Sequence, residues 1–122
     1  MSHIVQIQTQ VRDASAARAG ARRLGLPEPI NQTVKLFSST ASGLAVRLKD
    51  WRYPVVFDLK TGASQFDNYN GNWGKQGRLD EFLQVYAVEK AKIEARRKGY
   101  SVTENQLKDG AIKLTINTGA DV

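Results

Sequence analysis

The sequence predicts a two-layer α+β sandwich, in which two helices cover one face of a mainly antiparallel sheet. Two observations predict this class. The elements follow the order β-α-β-β-β-loop-α-β-β along the 122-residue chain, without the regular alternation of a parallel doubly wound sheet. Each helical segment also carries one apolar stripe, as a helix does when it packs on one side only. A chain of this length forms one domain, which we predict to span residues 1–117 and to end in a flexible tail, 118–122.

The chain opens with a predicted strand and a predicted helix. Residues 4–11 alternate in character with the period of a half-buried strand. Asp13 is placed to cap a helix, because its carboxylate can accept hydrogen bonds from the free N–H groups of the first turn. Residues 14–24 are rich in alanine and arginine, both strong helix formers, and Gly25 is a suitable helix stop.

The middle of the chain reads as an antiparallel meander. Strands are predicted over residues 33–37, 44–49 and 53–59, and polar or glycine-containing turns separate them. Short connections of this kind join neighbouring antiparallel strands.

The clearest predicted element is a second helix over residues 79–98. Its apolar residues fall on one face, its first turn is acidic and its last turn is basic, which suits the helix dipole. A hairpin then follows, with strands over 100–107 and 111–116 joined at Asp109-Gly110, a pair that favours a type I′ turn.

The segment 66–77 interleaves aromatic residues with asparagine and glycine, and we expect it to be irregular over most of its length. Ordered loops held at both ends by a scaffold are often binding surfaces, and we predict that this one is the functional surface. The alternative is structural: the tryptophans anchor loops onto the sheet and the asparagines only shape turns. The candidate binding residues are Trp51, Tyr53, Asp67, Asn68, Tyr69, Asn70, Asn72 and Trp73.

The residues needed for common catalytic sites are missing from the sequence. There is no cysteine, and His3 is the only histidine, so thiolate and histidine-rich metal sites are excluded. No phosphate-binding loop or dinucleotide fingerprint occurs. Asp67 with its neighbouring asparagines is a weaker match to a calcium loop than to a set of turns. We therefore predict a protein that is not an enzyme by itself and that has no metal or cofactor, although a partner could complete a site.

The formal net charge is +6, which classes this as a basic protein and leaves two interpretations open. A solvated basic surface aids solubility. A basic helix surface could instead bind nucleic acid through its phosphates, and this is the alternative function that the sequence supports. The residues of this candidate basic patch are Arg18, Arg22, Arg23, Arg96 and Arg97.

Location and assembly are also predicted. The chain shows neither a signal peptide nor a stretch of about 20 apolar residues, so we expect a cytoplasmic protein that does not enter a membrane. A small meander leaves an unpaired sheet edge, and a second copy that covers this edge would give a homodimer.

Four segments of the chain resemble one family of small proteins. They are MSHIVQIQTQVRD, WRYPVVFDLKTG, FDNYNGNWGKQGRLDEFLQVYAVEKAKIEARRKGYSVTE and DGAIKLTI. In this order they resemble the uncharacterised family of cyanobacteria, red-algal plastids and other bacteria known as conserved plastid reading frame thirty-five, a domain of unknown function. The likeness covers almost the whole chain, from residue 1 to about residue 116.

The resemblance implies a setting rather than a chemistry. The family offers no catalytic residue or cofactor that could be carried over to this chain. Its members are often encoded near AAA-type ATPases, which implies a partner-dependent role and a location in the plastid stroma or the bacterial cytosol. The sequence as a whole thus predicts a non-catalytic interaction or adaptor module that binds a protein partner, with an ATPase as the partner that the resemblance implies.

Overall fold

The computed structural model describes the backbone of residues 4–7 and both backbone and side chains of residues 10–119. His3, residues 8–9 of the first predicted strand and residues 120–122 of the predicted tail lie outside this range. In chain order the elements are β1 (Ile4–Ile7), α1 (Ala14–Arg23), β2 (Ile30–Lys35), β3 (Thr40–Val46), β4 (Val55–Phe57), β5 (Ser64–Asp67), a short 3-10 turn (Tyr69–Gly71), α2 (Gln76–Arg97), β6 (Ser101–Gln106) and β7 (Ile112–Asn117).

The larger sheet has five antiparallel strands in the order β1-β5-β4-β3-β2. The strands β2, β3 and β4 correspond to the predicted meander, β5 adds a further strand beside β4, and β1 pairs with β5 along the far edge. This confirms the predicted α+β class with a mainly antiparallel sheet.

Both helices pack on the same face of this sheet. Residues of α1, of α2 and of alternate positions on the strands share one hydrophobic cluster. Its fully buried members include Ala17 and Ala21 from α1, Phe82 from α2, and Leu44 and Phe57 from the sheet. The stacked rings of Phe57 and Phe82 lie 5.8 Å apart and join the two layers.

The two helices approach each other closely because α1 presents small residues to α2. A Cβ atom added at Gly20 would stand 3.3 Å from Cγ2 of Val85, a tight contact that Val85 could relieve only by a small shift. The start of α1 is held by Tyr86 of α2, whose hydroxyl oxygen accepts the backbone N–H groups of Arg12 (3.1 Å) and Asp13 (3.2 Å).

The other face of the sheet is not covered by either helix. Ala41, Ala45 and Val56 alternate with the core residues of their strands and form a second, smaller cluster with Leu36. Half-buried Val34 and Tyr53 pack against it. We call this side of the sheet the open face.

Two details of the predicted topology were wrong. Residues 64–67 form the strand β5, although the sequence was interpreted as irregular from residue 66 onwards, so the element order gains a strand. The C-terminal hairpin forms a separate two-stranded sheet and does not extend the larger one. The boundary of the second helix also differs, because α2 begins at Gln76, three residues before the predicted start.

A group of charged side chains connects the hairpin to the helices. The guanidinium group of Arg23, at the end of α1, bonds both carboxylate oxygens of Glu104 in β6 and also lies 3.1 Å from Glu89 of α2. Lys92 lies 3.4 Å from the same two carboxylates. The hydrogen bond from Arg23 lowers the pKa of Glu104 below its ordinary value. Four charges therefore connect α1, α2 and the hairpin.

Candidate functional site

The segment between β5 and α2 forms a short, strained loop. Tyr69, Asn70 and Gly71 have φ values of 48°, 55° and 91°, so three successive residues lie in the left-handed region. Glycine adopts this conformation freely and asparagine tolerates it, but for a bulky residue such as tyrosine it is a genuine outlier. Such strain persists only where the surroundings enforce it, and it concentrates at functional sites.

Hydrogen bonds to the backbone hold the loop in place. The carbonyl oxygen of Asn68 accepts the N–H groups of Gly71 (3.0 Å) and Trp73 (2.9 Å), and the Asn68 side-chain amide donates to the Gly74 carbonyl (3.2 Å). The N–H of Arg52 donates to the Trp73 carbonyl at 2.8 Å. The loop is therefore an ordered platform attached to the turn before β4.

Trp73 is the centre of an aromatic cluster on the open face. Its ring lies 4.8 Å from the ring of Tyr69, 5.0 Å from that of Phe37 and 5.7 Å from that of Tyr53, measured between centroids. The guanidinium carbon of Arg52 lies 4.8 Å from the Trp73 ring centroid, within the range of a cation–π contact. We call these five residues the Trp73 cluster.

The Trp73 cluster is partly open to solvent. The Phe37 side chain is 50% exposed, Arg52 is exposed, and Tyr53, Tyr69 and Trp73 are half-buried. Within the described part of the chain, no carboxylate forms a salt bridge with Arg52, and its guanidinium group lies over the rings of Tyr53 and Trp73. The cluster thus combines a flat apolar surface with a positive charge.

Trp51 lies apart from this cluster, on the helix side of the sheet. Its ring packs edge-on against Phe66, with centroids 5.3 Å apart, and its indole N–H donates to the carbonyl of Lys75 at 3.0 Å. A Cβ atom added at Gly74 would stand only 2.3 Å from this ring. Trp51 is therefore the structural anchor that the alternative interpretation described, whereas Tyr53 and Trp73 belong to the open face.

The predicted binding residues are accordingly divided among different environments. Asp67 is fully buried and Asn68 is 7% exposed, so neither is presented to a partner. Asn70 is exposed at the tip of the loop, and Asn72 lines a shallow cavity of about 190 Å³ together with Lys49 and Lys75. Of the eight candidates, Tyr53, Tyr69 and Trp73 come together. Phe37 and Arg52 were missed by the sequence analysis, and the only signal for Arg52 was its place beside Tyr53.

The candidate basic patch is only partly available. Arg23 is bound to two carboxylates, and Arg97 lies 3.6 Å from Glu94. Arg22 and Arg96 are exposed, at the ends of different helices. Because Arg23 is paired with Glu89 of α2 and with Glu104, its charge is not free to bind a phosphate.

The described residues contain no group of three or more histidine, aspartate or glutamate side chains that could hold a metal ion. No helix within residues 10–119 is long and apolar enough to cross a membrane. Comparisons of the chain with protein-family models, with curated proteins and with solved structures return no match.

Proposed function

We propose that this protein is a non-catalytic interaction module that binds a protein partner through the Trp73 cluster. The observation that carries the proposal is the cluster itself, in which Trp73 is surrounded by Phe37, Tyr53, Tyr69 and Arg52 on a sheet face that neither helix covers. Trp, Tyr and Arg are the residue types that contribute most of the binding energy in protein–protein interfaces.

The state of the cluster before binding also supports this proposal. Aromatic side chains lose little conformational entropy on binding, and here they already contact one another. The hydrogen bonds of Asn68 and the Arg52 N–H fix the backbone on both sides of Trp73. A partner would therefore meet a preorganised surface, which lowers the cost of association.

Nucleic-acid binding has weaker support. A base stacks on an exposed aromatic face, but the Trp73 ring is in contact with three other rings and with Arg52. Of the candidate basic patch, Arg18 is half-buried in the middle of α1, Arg22 and Arg96 are at the ends of different helices, and Arg23 is already paired. Beyond the net charge, the nucleic-acid hypothesis is left with one observation, the exposed cation of Arg52 beside the rings of the Trp73 cluster.

The resemblance described above supports an AAA-type ATPase as the first partner to test. An adaptor of this kind would present its open face to the ATPase or to a protein that the ATPase acts on. The favoured location remains the cytoplasm, either the bacterial cytosol or the plastid stroma.

Site-specific photo-crosslinking in the source cells tests this proposal. Benzoylphenylalanine replaces Tyr69, a half-buried member of the Trp73 cluster, in one variant and Leu107 in another. Leu107 is a suitable control because it is 46% exposed but lies beyond β6 in the hairpin loop. We expect position 69, and not position 107, to form an adduct with a different protein. Adducts at neither position, or equal adducts at both, would contradict the proposal.

A further inference from the structure

The strand β2 forms one edge of the larger sheet, and its outer side is open. It pairs with β3 over its whole length, from Ile30 opposite Ala45 to Lys35 opposite Thr40. Five of its six residues are exposed, and Val34 is half-buried. No described strand lies on the other side of β2. A strand edge of this length is a template for pairing with another chain.

The backbone groups that point away from the sheet can be identified. The N–H of Leu36 donates to the carbonyl of Ser39 at 2.7 Å, which makes these two residues a hydrogen-bonded pair at the end of the β2–β3 ladder. Hydrogen-bonded and non-hydrogen-bonded pairs alternate along an antiparallel ladder. The N–H and carbonyl groups of Asn31, Thr33 and Lys35 therefore point outwards from the edge.

This edge lacks the usual protection against pairing. Natural sheet edges are shielded by charged residues, prolines or bulges within the strand. The sequence of β2 is INQTVK, so it has no proline and its single charge is at the last residue. The pairing of β2 with β3 continues without a bulge.

We propose that a second copy of this chain pairs with this edge, strand β2 against strand β2, about a two-fold axis at Thr33. In this antiparallel register Thr33 lies opposite the partner's Thr33, and Asn31 lies opposite the partner's Lys35. All the outward groups of both strands are then used, because each of these pairs exchanges two hydrogen bonds. No like charges face each other, since Lys35 meets a neutral amide.

The exposed apolar side chains select a second copy as the occupant. Ile30 is 56% exposed at one end of β2, and Phe37 is 50% exposed just beyond the other end. The two-fold axis brings the start of β2 in one copy beside the end of β2 in the other. Ile30 then lies beside the partner's Leu36 and next to the partner's Phe37 on the open face. One symmetric contact thus covers exposed apolar residues at both ends of the strand in each copy.

The pairing has a consequence for binding. The two-fold axis at Thr33 is perpendicular to the sheet that the two copies form together. Rotation about it therefore leaves the open faces of both copies on one side of this sheet and all the helices on the other. The dimer would therefore present two Trp73 clusters on one side of a ten-stranded sheet, with Phe37 of each cluster at the dimer contact and the other four residues outside it. If the proposed function is correct, a partner with two sites gains avidity from this arrangement.

Cysteine crosslinking of the whole protein tests both the pairing and its register, because the chain contains no cysteine of its own. The variants are Thr33→Cys, Gln32→Cys and Thr103→Cys, each at an exposed strand position. Opposed residues of a hydrogen-bonded pair have Cα atoms about 5.5 Å apart, which suits a disulfide. In the proposed register the two Gln32 residues are diagonal neighbours, about 7–8 Å apart, which is too far.

We expect Thr33→Cys to form a disulfide-linked dimer at least tenfold faster than the other two variants under mild oxidation. Sedimentation of the unmodified protein at micromolar concentration should give twice the 13.5 kDa chain mass. Thr33→Pro should restore the monomer, because it removes an outward N–H without breaking the β2–β3 ladder. A monomer at all concentrations, equal crosslinking of Thr33→Cys and Thr103→Cys, or faster crosslinking of Gln32→Cys would overturn the proposal. The outcome is independent of the photo-crosslinking at position 69.

Discussion

The indole ring of Trp51 lies directly against the backbone of Gly74, so that a Cβ atom at Gly74 would stand 2.3 Å from Cδ2 of the ring. Glycine is therefore required at this point by packing inside the protein. The contact fixes the end of the loop that carries Trp73, because the indole N–H also donates to the carbonyl of Lys75.

Gly74→Ala should destabilise the protein, because the added methyl group forces the Trp51 ring out of its position. We expect a loss of about 1–3 kcal/mol in the free energy of unfolding, typical of overpacking, and a Tm lower by roughly 5–15 °C. Gly77→Ala is the matched control, since a Cβ there has no neighbour within 4 Å and alanine favours the helix. Equal melting temperatures for the two variants would show that the ring has room to move.

Tyr86→Phe should loosen the start of α1. The change removes the acceptor of two backbone N–H groups, those of Arg12 and Asp13, and leaves the ring in the core. We expect a cost of about 1–3 kcal/mol, measured by denaturant unfolding, with faster amide exchange in the first turn of α1. Tyr100→Phe is the control, because no described residue bonds the Tyr100 hydroxyl. Unchanged exchange in α1 would contradict the assigned role.

Asn70 should tolerate glycine better than alanine. Its φ of 55° lies in the left-handed region, where a Cβ costs about 1–2 kcal/mol per residue and asparagine is the usual non-glycine occupant. We expect Asn70→Ala to lower the stability by about 1 kcal/mol and Asn70→Gly to leave it nearly unchanged. Thermal melts of the two variants check this difference, and the opposite ranking would mean that the loop relaxes to another conformation.

Arg23→Gln should weaken the attachment of the hairpin, and the effect should depend on pH. The hydrogen bond from Arg23 lowers the pKa of Glu104 below its ordinary value of 4.5. The stability that this pair contributes is therefore present above pH 4.5 and is lost as the pH falls through the lower pKa of the folded state. We expect a cost of about 1 kcal/mol at pH 7 and low salt, because both side chains are partly exposed.

Unfolding curves of the wild type and of Arg23→Gln, recorded from pH 7 to pH 3, measure this dependence. The difference between the two proteins should shrink at acid pH and in high salt. Arg22→Gln is the control, since Arg22 is the exposed neighbour on the same helix turn. A difference that stays constant with pH would exclude Glu104 as the partner that matters.

Much of the fold was predictable because local signals agreed with it. The N-cap role of Asp13 is confirmed by its hydrogen bonds from the N–H groups of Ser15 (2.9 Å) and Ala16 (3.2 Å). The strand β5 was missed because its sequence, SQFD, is short and mostly polar, and its pairing with β1 and β4 comes from distant parts of the chain. The hairpin was predicted as a hairpin, but its separation from the larger sheet is a tertiary feature that no local pattern indicates.

The candidate site was predictable only in its location. Aromatic and asparagine residues marked the loop, but the sequence does not reveal on which side of the sheet each aromatic ring lies. Trp51 and Tyr53 are only two residues apart, yet they pack against different clusters because the chain bends between them. Phe37 joins the Trp73 cluster from the β2–β3 turn, a contact over 36 positions of the chain that no local pattern indicates.

The central claim is that the Trp73 cluster binds a protein partner. The most direct test takes the partner that photo-crosslinking identifies, purifies it in free form and measures its affinity for a variant of the cluster. The double variant Arg52→Ala/Tyr69→Ala removes the exposed cation and one ring, whereas Leu107→Ala/Ile116→Ala removes exposed apolar groups from the hairpin. We predict that the cluster variant binds at least tenfold more weakly, with a Tm within a few degrees of the wild type, and that the hairpin variant binds normally. Wild-type affinity in the cluster variant would contradict the claim, as would a loss of binding that only follows unfolding.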